Sequence, residues 1–315
     1  MRTPIWVAGI CTTALLAACQ PTAAPSVSPT PAGSVRASAV ASPSASASAE
    51  RDAVVLAAGD IGACDSNGDE ATAALLDEQS GTILVLGDIA YPDGDAQDFA
   101  NCYDPSWGRH RDRTRPVPGN HEYETDGAAA YFDYFSAVAG DRDEGWYSLD
   151  LGEWHVIGLN SNCDEVGGCA AGSPQVVWLR DDLAANLTEC TLAFWHHPRW
   201  SSGHEHGSSP TTDTFWQLLH EAGADVVLTG HDHQYERFVP MDADGAADPD
   251  GMVEFVVGTG GRSLYAFGEI LPTSAAHDNS SYGVLKLTLR AGAYDWEFVP
   301  TSDTGFEDSG TARCR

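Results

Sequence analysis

The sequence predicts an α/β fold in which two mixed β-sheets pack face to face with helices on the outside, and three observations support this. Short apolar runs alternate with helical patterns early in the chain, whereas strand-like runs follow one another directly near its end. Polar residues typical of a binding site come directly after five of these runs. Without its N-terminal fifth, the chain of 315 residues is still long enough to bury one large core.

Five strand-like runs each deliver an Asp, Asn or His just past their ends. The runs are 54–56, 82–85, 115–118, 191–194 and 225–228, and the polar residues after them include Asp60, Asp88, Asn120, His196 and His231. A single Asp at a strand end is usually a turn residue. Five such positions in series, gathered by a sheet at the carboxyl edge of its strands, instead indicate a binding site.

Asp88 is the residue around which we expect this site to be organised. It follows the predicted buried strand 82–85 and Gly87, which allows a sharp turn of the backbone. Tyr91 comes three residues later and precedes a turn that contains Pro92. A carboxylate and a phenol oxygen together suit a hard, highly charged cation.

The remaining elements follow from periodicity and from turn residues. Helices are predicted over 69–79, 126–135, 174–187 and 214–222, and a hairpin pairs 146–151 with 154–159. Ser173 and Pro174 suit the N-cap and first turn of the third helix, and Gly223 ends the fourth. Three late runs, 252–257, 283–289 and 294–299, are predicted strands.

The N-terminal residues resemble an export signal followed by a tether. Residues 5–18 form an apolar stretch too short to span a bilayer, and 16–19 read Leu-Ala-Ala-Cys, which resembles a bacterial lipobox. We therefore predict a lipoprotein-type signal peptide at 1–19, with Cys19 lipidated, although an ordinary secretory signal cut nearby is the alternative. Residues 20–51 are rich in Pro, Ser and Ala and are predicted to be a disordered tether. The catalytic domain is predicted at 52–315, on a cell-surface lipoprotein or a secreted protein.

The charge balance excludes some partners. The chain carries a net charge of −30, whereas nucleic acids and anionic membranes are recognised largely through Lys and Arg. We expect no nucleic-acid partner and contact with a membrane only through the lipid on Cys19. The oligomeric state is left open by the sequence.

Six cysteines remain when Cys11 and Cys19 are set aside. An even number beyond an export signal favours disulfides, and no Cys-x-x-Cys spacing supports zinc as the alternative. We predict that Cys163 pairs locally with Cys169. The other predicted pairs are Cys64 with Cys102 and Cys190 with Cys314.

Five blocks of this sequence together resemble the metal-binding blocks of the purple acid phosphatases, which are calcineurin-like metallophosphoesterases. The blocks are Asp60-Ile61-Gly62, Gly87-Asp88-Ile89-Ala90-Tyr91, Gly119-Asn120-His121-Glu122, His196 and Gly230-His231-Asp232-His233. Gly62 and Tyr91 stand where the common form of the superfamily has His and Asp, and both departures mark the purple subgroup. The resemblance covers roughly residues 53–300 and implies a four-layer α-β-β-α sandwich.

The resemblance also implies a dinuclear metal centre. Asp60, Asp88, Tyr91 and His233 would hold the first metal, and Asp88, Asn120, His196 and His231 the second. Oxygen donors favour Fe(III) in the first position, and the amide with two imidazoles suits Zn, Mn or Fe(II) in the second. His197 could be mistaken for a ligand, but the spacing of the family's His-x-Pro pattern to Pro198 favours His196.

Three histidines outside the ligand set match catalytic positions of the family. His121, next to Asn120, matches a phosphate-contacting His. His204 and His206 lie where the family keeps a His that binds substrate and protonates the leaving group, and His206 is preferred only narrowly. The resemblance implies an acid phosphatase that hydrolyses phosphate monoesters by in-line attack of a metal-bound hydroxide.

Two other functions remain open from the sequence. A phosphodiesterase or nucleotidase would use the same dinuclear centre. A surface lipoprotein that binds phosphate or metal without turnover is the third possibility, and the complete ligand set together with His121 and His206 argues against it.

Overall fold

The computed structural model describes residues 52–315. The predicted signal peptide, the tether and Cys19 lie outside the described residues. Within 52–315, no helix is long and apolar enough to cross a membrane.

The described part of the chain contains short strands connected by helices and helical turns. The strands are β1 (Ala53–Ala58), β2 (Gly62–Ala63), β3 (Thr82–Leu86), β4 (Ala90–Tyr91), β5 (Thr114–Val117), β6 (Tyr147–Leu151), β7 (Trp154–Gly158), β8 (Cys190–Phe194), β9 (Val226–Thr229), β10 (Tyr235–Phe238), β11 (Val253–Val257), β12 (Ser274–Asp278), β13 (Gly283–Arg290), β14 (Ala293–Pro300) and β15 (Ser309–Arg313). The α-helices are α1 (Gly68–Asp77), α2 (Ala96–Asp98), α3 (Ala129–Phe135), α4 (Pro174–Ala185) and α5 (Asp213–Ala222). Phe99–Tyr103 is a π-helical turn, and 3₁₀ turns span Trp107–Arg113, His121–Glu124, Asp126–Ala128, Ser136–Ala139 and Pro210–Thr212.

The larger strands form two mixed sheets. One has six strands in the order β15-β14-β13-β1-β3-β5, and the other has seven in the order β12-β10-β11-β9-β8-β7-β6. Strands β1, β3 and β5 are parallel, as are β7, β8, β9 and β11. The strands with predicted polar ends therefore sit together within each sheet, with their carboxyl ends at one edge. The short strands β2 and β4 pair beside that edge.

Alternating side chains place the seven-stranded sheet between two apolar layers. In β8, Leu192 and Phe194 join a buried cluster that contains residues of the six-stranded sheet. Ala193, between them, packs with Leu179 of α4 and Leu219 of α5 in a second cluster. The first cluster also contains Leu76 of α1, on the opposite side of the two sheets from α4 and α5. The predicted sandwich of two mixed sheets flanked by helices is confirmed.

One local prediction was wrong. The helix expected over 126–135 begins only at Ala129, because Gly127 and Ala128 have left-handed φ angles of 60° and 49°. Ser173 occupies the N-cap position of α4 and Pro174 its first turn, as predicted, and the Ser173 side chain makes no capping hydrogen bond. Gly223 ends α5 with a left-handed φ of 84°, as predicted.

All three predicted disulfides are present. Cys163 pairs with Cys169, Cys64 with Cys102, and Cys190 with Cys314. The last bond joins the first residue of β8 to a position 124 residues later in the chain. Such cross-links stabilise the fold mainly by restricting the unfolded chain.

Candidate metal centre

The loops that carry the predicted ligands meet between the two sheets. Asp60, Asp88 and Asn120 follow β1, β3 and β5 of the six-stranded sheet, and His196 follows β8 of the seven-stranded sheet. His231 and His233 lie between β9 and β10, and Tyr91 belongs to β4. Both sheets thus contribute donors to one site.

A first set of four donor atoms consists of the Tyr91 hydroxyl and three atoms close to it. This oxygen lies 3.1 Å from Asp60 Oδ1, 3.0 Å from Asp88 Oδ2 and 3.2 Å from His233 Nε2. His233 Nε2 is in turn 3.2 Å from Asp60 Oδ1. All four side chains are buried.

A second set surrounds the ring of His196. Its Nε2 atom lies 3.3 Å from Asp88 Oδ1, 3.2 Å from Asn120 Oδ1 and 3.1 Å from His231 Nδ1. Asp88 therefore offers Oδ2 to the first set and Oδ1 to the second. A shared carboxylate of this kind offsets the repulsion between two cations held about 3.5–4 Å apart.

In two of the histidines, a hydrogen bond to one ring nitrogen determines which nitrogen faces the donor set. His196 Nδ1 is 2.8 Å from the carbonyl oxygen of Leu86, which can only accept, so Nδ1 carries the proton and Nε2 keeps its lone pair. His233 Nδ1 lies 2.8 Å from Ser263 Oγ, which leaves its Nε2 free for the first set. The donors present therefore fit a dinuclear metal centre.

The electrostatics of the site also fit cations. Asp60 and Asp88 are buried carboxylates without an adjacent Lys or Arg in the described structure, and such groups are costly unless a positive charge compensates them. Burial raises the pKa of the Tyr91 phenol well above its usual range, and the carboxylates of Asp88 and Asp60 raise it further. A bound cation reverses this effect and favours the phenolate.

The backbone is strained at three of the donors. Asp60, Asp88 and His231 have φ angles of 61°, 48° and 70°, in the left-handed region that side chains other than glycine rarely adopt. Such conformations cost free energy and concentrate at functional sites. The loops therefore hold these residues where isolated turns would not.

Glu122 joins the loops after β3 and β5 through hydrogen bonds to their backbones. It is fully buried, and its carboxylate accepts hydrogen bonds from the backbone N–H groups of Asp88, Ile89, Ala90 and Gly119 at 2.7–3.3 Å. Sequence reasoning gave this residue no role. Its only sequence signal is its place beside Asn120 and His121.

His121 lies at the exposed side of the first donor set. Its Nε2 is 3.8 Å from Asp88 Oδ2, its ring centroid is 4.4 Å from that of Tyr91, and 32% of its side chain is exposed. Its backbone N–H donates to Asp88 Oδ1 at 3.0 Å. The imidazole is thus close to the first donor set and open to a ligand.

The structure distinguishes the two candidate acids. The His206 ring stacks on His231, with 4.0 Å between centroids. His204 is 68% exposed and its nearest charged partner is Glu205. The loop is held by Asp232, whose Oδ2 accepts from Gly207 N–H at 3.0 Å and from the hydroxyl of Ser201. The structure brings His206 to the site and leaves His204 outside it.

His197 lies beside the second donor set. Its Nδ1 is 2.8 Å from Ser161 Oγ, and its ring centroid is 4.4 Å from that of His231. Burial and the neighbouring His196 lower its pKa to about 3, so the ring is neutral. One nitrogen each of His196, His197 and His231 lies within 4.8 Å of the others, so His197 is close enough to affect the second set.

Comparison with known proteins agrees with the geometry. The calcineurin-like phosphoesterase family model matches residues 53–235, more than half of the chain. Purple acid phosphatase 15 of Arabidopsis thaliana is 29% identical over 244 residues, which cover 66% of this chain and 45% of that protein. Purple acid phosphatase 18 of the same plant is 32% identical over 129 residues, which cover 39% of this chain and 28% of that protein. The chain thus spans less than half the length of these curated relatives.

A solved structure shows the same fold. The purple acid phosphatase from seeds of yellow lupin, Lupinus luteus, superposes with a TM-score of 0.69 at 20% identity, covering 84% of this chain and 54% of that chain. The two mixed sheets, the paired donor sets and the match over 53–235 lead to one conclusion. The chain belongs to the calcineurin-like phosphoesterase family.

Proposed function

We propose that this protein is a phosphatase of the purple acid type that hydrolyses phosphate monoesters at a dinuclear metal centre. The observation that carries the proposal is the pair of four-atom donor sets that share Asp88. Asp60, Asp88, Tyr91 and His233 would hold Fe(III), because two carboxylates and a phenolate are hard anionic donors. The second set consists of Asp88, Asn120, His196 and His231, and it suits Zn, Mn or Fe(II).

The roles of the surrounding residues follow from their positions. When bound, the two cations supply Lewis-acid charge for the phosphoryl oxygens and a nucleophile that is ionised below neutral pH. His121, close to Asp88 and partly exposed, is placed to donate a hydrogen bond to a phosphoryl oxygen. His206, above His231, is placed to give a proton to the departing alcohol oxygen.

Assays on paired substrates test the proposal against a diesterase. We expect metal-replete protein to hydrolyse p-nitrophenyl phosphate faster than its bis-ester, as the names of the curated relatives support. Faster hydrolysis of the bis-ester would favour a phosphodiesterase. No turnover of any ester by protein with two metals per chain would favour a binding protein.

His206→Ala is expected to reduce turnover of alkyl phosphates by about 10²-fold or more, the usual range for losing a general acid. p-Nitrophenolate leaves without help from a proton, so its ester should lose much less. The measurement is kcat on both substrates at equal metal content. His204→Ala is the matched control, because that side chain points to solvent, and it should leave both rates unchanged. An equal loss on both substrates would reduce His206 to a substrate-binding role.

Colour is expected to report on the first metal position. A phenolate bound to Fe(III) transfers charge to the metal and absorbs visible light, so iron-loaded, oxidised protein should be purple to pink. Tyr91→Phe should bleach it, yet cost less activity than loss of Asp88, because Asp60, Asp88 and His233 remain. An absorption spectrum with elemental analysis checks both statements. An active, iron-loaded protein without a visible band would show that Tyr91 does not bind the metal.

We further propose that the protein acts outside the cytoplasm, as a lipoprotein anchored through Cys19 or as a secreted enzyme. Three disulfides support an oxidising compartment, where such bonds form and persist. Mass spectrometry of the mature N-terminal peptide tests the anchor. A diacylglyceryl group on Cys19 would establish it, and an unmodified N-terminus elsewhere would indicate secretion.

A further inference from the structure

A cavity of about 400 Å³ lies beside the second donor set. Asn120 and His197 line it, together with residues of the 3₁₀ turn His121–Glu124, of the loop after β7 and of the segment 209–211. This volume falls within the range of small-molecule sites. Asn120 belongs to both the cavity wall and the donor set, so the cavity adjoins the second donor set.

The cavity is lined by carboxylates without compensating charges. Glu124, Asp164 and Glu165 contribute to its wall and are exposed to solvent. The described structure gives none of the three an ion pair, and neither Lys nor Arg lines the cavity. A charged group that enters therefore meets only negative side chains on the wall, whereas the bound cations act at the neighbouring donor sets.

The acidic wall is held in place by covalent and hydrogen bonds. The Cys163–Cys169 disulfide closes the short loop that carries Asp164 and Glu165. Within it, Glu165 N–H donates to Asn162 O at 3.0 Å and Gly168 N–H to Cys163 O at 2.7 Å. These bonds fix the backbone that carries Asp164 and Glu165 beside the cavity.

The cavity lies on the side where the alcohol would depart. His206 and His197 both contact the ring of His231, at centroid distances of 4.0 and 4.4 Å, and His197 lines the cavity. If His206 protonates the departing oxygen, the carbon skeleton attached to that oxygen sits at the cavity mouth. This step rests on the function proposed above.

The other side of the site offers no better place for an anion. A cavity of about 380 Å³ beside Tyr91 contains one guanidinium, that of Arg262. Its Nη1 already pairs with Asp65 at 2.9 Å, and Asp98 adds a further carboxylate to the wall. Neither cavity thus presents an uncompensated cation to a substrate.

The geometry points to a charge-selective pocket: the cavity beside Asn120 receives the alcohol part of the ester, and Glu124, Asp164 and Glu165 select cationic or uncharged alcohols over anionic ones. The substrate class is then phosphate monoesters of amino alcohols and polyols. Esters that carry further carboxylates or phosphates on the alcohol are disfavoured. The metals attract the reacting phosphoryl group in every case, so selection acts on the remainder of the molecule.

Three esters of matched size test this selection on the full, metal-replete protein. They are 2-aminoethyl phosphate, 2-hydroxyethyl phosphate and phosphoglycolate, whose alcohol parts are cationic, neutral and anionic. We expect kcat/KM to fall in that order, with roughly tenfold between the first and the last at low salt. Because Debye screening shortens the reach of the wall charges, 0.5 M NaCl should reduce the difference to about two- or threefold.

The three esters differ in intrinsic reactivity, and comparing a charge-neutral variant with the wild type cancels this difference. In the triple variant Glu124→Gln, Asp164→Asn, Glu165→Gln, the ratio of the cationic to the anionic substrate should fall about tenfold relative to the wild type. Hydrolysis of p-nitrophenyl phosphate, whose alcohol part is uncharged, serves to show that the variant is folded and active.

A second triple variant controls for net charge. Glu78→Gln, Asp181→Asn, Glu221→Gln changes the charge equally at exposed positions outside the cavity wall and should leave the ratio unchanged. A ratio that is the same in wild type and pocket variant, while p-nitrophenyl phosphate is still hydrolysed, would overturn the selection and leave the phosphatase proposal standing. Absence of hydrolysis of every ester would overturn both.

Discussion

Asp88→Ala is expected to release both metal ions and to reduce phosphatase turnover by roughly 10³-fold or more. Asp88 supplies one oxygen to each donor set, 3.0 Å from Tyr91 Oη and 3.3 Å from His196 Nε2. Its loss leaves three donors in each set and removes the anion that lies between two cations. Elemental analysis of the purified variant, with kcat on p-nitrophenyl phosphate, measures both effects.

Asp88→Asn provides a second variant in case the alanine protein does not fold. Asparagine keeps the shape of the side chain and tolerates the left-handed φ of 48°, but it lacks the negative charge. We expect this variant to fold with the wild-type circular dichroism spectrum and still to lose at least one metal per chain. Two equivalents of metal in either variant would show that another group bridges the centre.

Gly119→Ala is expected to destabilise the domain by roughly 3 kcal/mol or more and to empty the second donor set. A Cβ atom on Gly119 would lie 2.1 Å from Asp88 Oδ1 and 2.3 Å from the backbone nitrogen of Asp88. Backbone atoms cannot yield as a flexible side chain does, so the loops after β3 and β5 must separate. That movement would also break the Glu122 hydrogen bonds that join them.

Thermal unfolding of metal-free protein separates the steric effect from metal loss. A change of 3 kcal/mol corresponds to a Tm lower by about 6–12 °C in a domain of this size. Gly268→Ala is the matched control, because the nearest heavy atom to its Cβ would be 3.5 Å away, an ordinary contact. Equal Tm values for the two variants would show that the loops can separate at no cost.

Strong local signals explain why the sequence predicted the centre of the fold. Strand β3 is an apolar run because both of its faces are buried. Asp88 follows shortly after this run, so the change from apolar to polar residues marks the end of the strand. The same holds for β8, with His196 following it. Two disulfides could also be predicted from local signals, because Cys163 and Cys169 are close in sequence and Cys64 and Cys102 follow the first two motif loops. The pair Cys190–Cys314, with a sequence separation of 124 residues, followed only as the remaining pair.

Edge and polar strands lacked such signals. Strands β12 and β15 lie at sheet edges and contain small or polar residues, since they pair through the backbone with little side-chain burial. Strand β10 carries buried Glu236, whose carboxylate accepts from the Ser202 backbone and hydroxyl, and this breaks the apolar pattern.

The site surroundings depend on contacts that the sequence does not record. Glu122 accepts hydrogen bonds from loops that precede it by as many as 34 residues, so only the folded chain reveals its role. The choice between His204 and His206 depended on which ring faces His231. In an irregular loop, the spacing of residues along the sequence does not predict the direction of their side chains. The acidic cavity likewise combines Glu124 with Asp164 and Glu165, from separate loops.

The pairing of β1 with β13 has a consequence for the order of assembly. Ala53 lies opposite Leu289, so one neighbour of the first strand is made long after that strand itself. A chain that emerges from its amino terminus cannot complete the six-stranded sheet until residues 283–290 have also emerged. Such long-range pairing slows folding. The loops that carry Asp60 and Asp88 are therefore secured only after residues 283–290 have emerged, and metal ions are expected to bind after that point.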